Sequence, residues 1–139
     1  MKIQNQENYL EIEIAAEDSK HLPSYGDAHI SLTVFSNGFS GKNDLWVQNE
    51  SLESFCRSLK ELEIKRTGEA QIKSISPYEL YLKIMSTDSL GHMAVIGKTG
   101  YVVTNSRGGY WHSVEFGFDF DPSILIKIVK TEWVEKYSN

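Results

Sequence analysis

Near its end the chain alternates without interruption: Val114, Phe116, Phe118 and Phe120 fall on one side, Ser113, Glu115, Gly117 and Asp119 on the other. A period of two predicts a β-strand with one buried and one wet face. The same pattern recurs at Tyr9 to Ile14, where Leu10, Ile12 and Ile14 alternate with Tyr9, Glu11 and Glu13. It recurs again at residues 28–35, with Ala28, Ile30, Leu32 and Val34 on one face. Leu45 and Val47 opposite Trp46 mark a further strand beyond the turn material Ser36-Asn37-Gly38. At Asn49-Glu50-Ser51 the period changes to that of a helix, with Leu52, Phe55, Cys56, Leu59 and Leu62 on one stripe. Asn49 or Ser51 would cap its first turn, and Gly68 would close it.

Strands follow at Glu69 to Ile75, Glu79 to Met85 and His92 to Gly97, with Ser76-Pro77 breaking the first pair and Thr87 to Gly91 forming a hairpin connection. Asp121-Pro122 reads as the start of a second helix, carrying Ile124, Leu125, Ile128, Val129 and Trp133. The order is strands, helix, strands, helix, without βαβ alternation. It predicts an α+β fold: one mostly antiparallel sheet of about six to eight strands with two helices packed on it. At 139 residues the chain is expected to form a single domain over residues 1–139.

The stretch GHMAVIGKTG ends like a phosphate-binding loop. The pattern requires a glycine five positions before Gly97, where this chain has His92. Met93 to Gly97 also alternates like a strand, so Lys98-Thr99-Gly100 is expected to be a turn between strands rather than the start of a nucleotide-binding helix.

Composition narrows the function further. Apolar residues make up 40% and charged residues 24% of the chain, as in ordinary globular domains, and no apolar run reaches the roughly 20 residues of a membrane span. The N-terminal stretch lacks the apolar centre of a signal peptide, so the expected compartment is the cytoplasm. The single cysteine, Cys56, fits a core filler. A net charge of −5 with no visible basic patch disfavours nucleic acid, because Lys60, Lys65 and Arg66 are interleaved with Glu61 and Glu63.

No catalytic constellation stands out. The four histidines, His21, His29, His92 and His112, contain no ligand pair at helical spacing, and no cofactor or metal is expected. Asp88 and His92, four apart, suit an Asx-type turn closed by a ring hydrogen bond. There is no Gly-x-Ser-x-Gly elbow, and Glu115 and Asp119 suit a wet strand face better than a carboxylate pair.

Asn105 to His112 offers more, since Arg107, Tyr110 and Trp111 are residue types of interface hot spots and Gly108-Gly109 would form a tight tip. Two readings stand open: a binding loop, or aromatic side chains covering a sheet end. Phe39, between Gly38 and Gly41, offers a similar contact.

The succession Leu59-x-x-Leu62, Arg66-x-Gly68-x-Ala70, Ser76-Pro77-x-Glu79-Leu80, Asp88-x-x-Gly91-His92 and Phe118-x-Phe120-Asp121-Pro122-x-x-Leu125 resembles the WapI-like group of bacterial immunity proteins, over roughly residues 45–130. These are encoded beside wall-associated, contact-dependent toxins. The resemblance implies a non-enzymatic cytoplasmic inhibitor that binds a cognate toxin's C-terminal domain, often a nuclease, and occludes it. The expected contact set is Phe39, Asp88, His92, Arg107, Tyr110, Trp111, His112, Glu115 and Asp119, with Glu115 and Asp119 steering a basic partner. The alternatives are a small-ligand module or an enzyme using a pocket near His92 and His112, or a domain that pairs with itself through an edge strand.

Overall fold

Each alternating stretch does become a strand, and the strands form antiparallel meanders. In the computed structural model, which describes residues 1–139, β1 (Lys2–Asn5), β2 (Asn8–Ala16), β3 (Ala28–Ser36) and β4 (Phe39–Val47) follow one another across a first sheet. Helix α1 (Asn49–Lys65) leads to a second sheet made of β5 (Glu69–Lys73), β6 (Leu80–Ser86), β7 (Met93–Asn105) and β8 (Gly108–Phe120). Two short helices close the chain, α2 (Ile124–Val129) and α3 (Glu132–Tyr137).

The expected α+β class holds, but the expected single sheet is two sheets of four strands. The reason lies where they meet. β4 runs past Val114 of β8 and then past Thr99 and Gly100 of β7, and it can do so because residue 41 is glycine. A Cβ there would sit 2.6 Å from Val114 Cγ1. Side chains of the first sheet, in place of a further strand, satisfy the edge of β8. Ser36 Oγ accepts from the Gly117 N–H and donates to its carbonyl, both at 3.2 Å, and Asn5 Nδ2 donates to the Asp119 carbonyl at 2.7 Å. Edge groups occupied in this way offer no ladder to another strand.

Both sheets and all three helices share one cluster of 29 buried residues. The stripe expected on α1 is buried in full, from Leu52 through Phe55, Cys56 and Leu59 to Leu62, each large side chain contributing about 1.5–3 kcal/mol. Burial pushes the Cys56 thiol up to about 12, in keeping with a core residue.

The helix caps differ from expectation. Asn49 lies inside α1 and its N–H donates to Asp27 Oδ1 at 3.2 Å, while Arg66 makes the left-handed turn at the other end, ahead of Gly68. The second helix is broken, because Thr131 takes an extended conformation (ψ 133°) that separates α2 from α3. β1 was not anticipated: four residues reading KIQN, with Ile3 alone buried, carry too short a pattern. Lys98-Thr99-Gly100 is not a turn either, and β7 runs straight through it.

Candidate protein-docking surface

β7 and β8 pair from Met93↔Phe120 to Asn105↔Gly108, and cross-strand partners share a face. One face carries Met93, Val95, Gly97 and Thr99 with Phe120, Phe118, Phe116 and Val114, all buried. Gly97 is required there, since a Cβ would lie 2.6 Å from both Phe116 Cζ and the Tyr81 carbonyl oxygen. The crossing of β4 marks where this burial stops. Buried Asn43 donates through Nδ2 to the Gly100 carbonyl at 2.8 Å and to Thr99 Oγ1 at 3.1 Å. Thr99 Oγ1 donates to the Glu79 carbonyl at 2.7 Å, and the Gly100 N–H reaches the same carbonyl at 3.1 Å.

Beyond this clamp the hairpin continues alone. β6 pairs with β7 only as far as Leu80↔Thr99, and β8 is the sheet's last strand, so neither edge of the outer ribbon is paired. Every residue from Tyr101 to Ser113 is exposed. Tyr101, Val103, Tyr110 and His112 continue the core face into solvent, and Val102 and Trp111 occupy the opposite face. Tyr101, Val102, Val103, Tyr110 and Trp111 are 42–67% exposed, an unusual concentration of apolar surface on one ribbon. A lone two-stranded hairpin is marginally stable in water, so the Asn43 clamp and the continuous inner ladder hold this arm in place.

Its tip is the two-residue turn Ser106-Arg107, where Asn105 Oδ1 accepts from the Arg107 N–H at 2.8 Å, and Gly108 follows with φ 136°. The glycine pair therefore lies just inside the strand rather than at the tip. The Tyr101 and His112 rings lie 5.7 Å apart and, with Asn43, wall a cleft of about 170 Å³ at the arm's base.

The expected contact residues separate into three places. Arg107, Tyr110, Trp111 and His112 lie together on the arm. Phe39 and Glu115 lie below it. Phe39 is 71% exposed after the turn made by Asn37 and Gly38, both left-handed, and Glu115 stands opposite Lys98 on the outer face. Asp88, His92 and Asp119 are at the far end of the sheet. From His92 to Tyr101, the partner of His112, is about 30 Å at roughly 3.3 Å per residue, so no pocket joins the two histidines.

At the far end the Asx turn forms as expected. Asp88 Oδ1 accepts from the Leu90 N–H at 2.8 Å, and Asp88 Oδ2 meets His92 Nδ1. That hydrogen bond holds the His92 pKa above its ordinary value and the Asp88 pKa below its own. No group of three or more His, Cys, Asp or Glu side chains converges anywhere in the molecule.

Tyr78 was missed. It is 79% exposed, has a positive φ of 69°, and meets the Trp111 ring edge-on with centroids 6.1 Å apart. A left-handed backbone costs a bulky residue about 1–2 kcal/mol, and nothing in the sequence around Ser76-Pro77 signals it.

The register also assembles a basic surface that the sequence did not reveal. Lys73, Tyr81 and Lys98 stand in one row across β5, β6 and β7, with Lys83 alongside. The Lys73 and Lys83 ammonium groups lie 5.7 and 6.0 Å from the Tyr81 ring centroid. Lys83 is paired with Glu69 at 3.3 Å, and hydrogen bonds with Tyr81 and then Glu69 raise its pKa. Lys73 and Lys98 form no ion pair.

No helix is long and apolar enough to cross a membrane. No family model, curated protein or solved structure matches the chain.

Proposed function

We propose that this chain is a non-enzymatic protein-binding domain that neutralises the C-terminal domain of a cognate toxin by occlusion, with the β7–β8 arm as its anchor. The observation that carries this reading is the arm itself, a ribbon with apolar side chains on both faces and neither edge paired. Aromatic side chains present roughly 150–250 Å² each. The exposed parts of Tyr78, Tyr101, Tyr110 and Trp111, with Val102 and Val103, therefore offer on the order of 600 Å², against the roughly 800 Å² per partner of a standard-size interface. The resemblance to immunity proteins supplies the kind of partner, and the net charge of −5 favours one that is basic overall. Charge would set mainly the rate of encounter, and the aromatic anchors the lifetime of the complex. Arg107, Tyr110, Trp111 and His112 are the contacts assigned to the arm; Phe39 and Glu115 would form its rim.

The test is a pull-down of the tagged protein with the toxin C-terminal domain encoded nearest its gene. Saturable binding that suppresses the toxin's activity supports the proposal; no binding overturns it. The unpaired edges of the arm favour one rival, pairing with a second copy, and a solution mass of twice the chain mass would support that instead.

A further inference from the structure

On the outer face of the second sheet, between the β5–β6 connection and the base of the arm, lies a groove of about 380 Å³. Pro77, Tyr78 and Tyr81 form its apolar floor and wall, and Lys73 and Lys98 flank it. Trp111 extends the wall through its edge-on contact with Tyr78. We infer that this groove is a docking site for an extended acidic peptide segment carrying an apolar anchor.

Three observations converge on that occupant. First, Lys73 and Lys98 line the groove with no carboxylate among its other lining residues and neither forms a salt bridge, although Glu115 stands opposite Lys98 across the strands, so the lining is positive in a protein whose net charge is −5. Second, the two lysines sit on strands separated by β6, two strand spacings or about 10 Å apart. Carboxylates three residues apart on a polyproline II segment fall on one side of the chain, about 9 Å apart at roughly 3.1 Å per residue, and match that span. Third, Tyr78 holds its ring in solvent from a left-handed backbone position, against Trp111, and so pre-forms an aromatic wall. Aromatic-walled grooves accept proline and aliphatic side chains with little loss of conformational freedom.

A nucleic acid fits less well. Polyanion binding needs many phosphate contacts, whereas this groove offers two unpaired lysines, and Glu79 and Glu115 lie beside it. The groove shares Tyr78 and Trp111 with the surface assigned to the toxin domain, but the inference does not depend on the toxin reading.

The experiment uses the full chain and a blocked synthetic peptide, Gly-Ser-Glu-Pro-Leu-Glu-Ser-Gly, followed by tryptophan fluorescence and calorimetry. Saturable binding is expected, weakened roughly tenfold by Lys73→Glu or Lys98→Glu and by a rise to high salt. Lys42→Glu, on the first sheet, should leave it unchanged, and so should Tyr110→Ser, which lies on the other face of the arm. Loss of toxin-domain capture in Tyr110→Ser with intact peptide binding separates the two surfaces. The inference is overturned by absence of peptide binding to the folded protein. It is equally overturned by equal binding of a peptide with lysines in place of the glutamates, by charge-reversed variants that bind as well as the parent, or by tighter binding of a single-stranded oligonucleotide.

Discussion

The inner and outer halves of the β7–β8 hairpin are built from the same two strands in one unbroken register, yet they have opposite fates. Inside the β4 crossing, one face is filled by Phe116, Phe118 and Phe120 and closed by helices and the first sheet. Outside it, Tyr101, Val103 and Tyr110 continue that same face with nothing over them. The register does not change at the boundary; the neighbour does. An apolar side chain stabilises the fold only where another element covers it, so the outer half is free to spend its apolar surface on a partner.

The largest effect should come from breaking the inner half. Phe116→Ala removes a buried ring that packs over Gly97 and should cost about 3–5 kcal/mol of stability, read from urea unfolding. The outer half should invert this result. Trp111→Ala should leave unfolding within about 0.5 kcal/mol of the parent while costing about 2 kcal/mol or more of partner affinity by calorimetry. A folded Trp111→Ala protein with parental affinity would remove that residue from the interface.

The boundary between the halves can be tested at Asn43. Replacing it with alanine leaves the buried Gly100 carbonyl without its donor and should cost about 1–3 kcal/mol, with faster amide exchange along the arm. If Asn43→Ala matches the parent in both respects, the crossing does not hold the arm.

The smallest effect belongs to the far end of β7. His92 has its pKa raised by its hydrogen bond to Asp88, so this contribution is complete below the ordinary histidine value of 6.5 and fades as pH rises through the raised value. Asp88 has its pKa lowered by the same bond, so its contribution is complete above the ordinary 3.8 and fades as pH falls through the lowered value. The pair is exposed, and His92→Gln should flatten only a shallow pH dependence of stability that lies outside those limits, above 6.5 and below 3.8.

Much of this could be read from the sequence. The alternation at residues 28–35 and 113–120 and the α1 stripe report burial directly, because each position's face follows from a fixed period. What alternation does not carry is which strands are neighbours. Two sheets in place of one follow from Gly41 under Val114 and Ser36 against Gly117, contacts between residues more than seventy positions apart.

The candidate site shows the same split. Arg107, Tyr110 and Trp111 stand out by residue type, but Asp88 and His92 lie far from them because β7 runs unbroken from Met93 to Asn105 where a turn at Lys98-Thr99-Gly100 is expected. Lys98-Thr99-Gly100 has turn composition, and it is strand because Glu79 and Asn43 take its polar groups. Lys73 and Lys98 become neighbours of Tyr81 only through register, so a basic row was invisible in a sequence whose local charges alternate.

Amide hydrogen exchange across β7 and β8, with and without the toxin domain, tests the central claim most directly. The expected result is fast exchange at residues 101–112 and slow exchange at 93–99 and 114–120 in the free protein, with the arm alone becoming protected when the partner is added. An arm as protected as the inner ladder before any partner is present, or protection that appears elsewhere and leaves the arm unchanged, would contradict it.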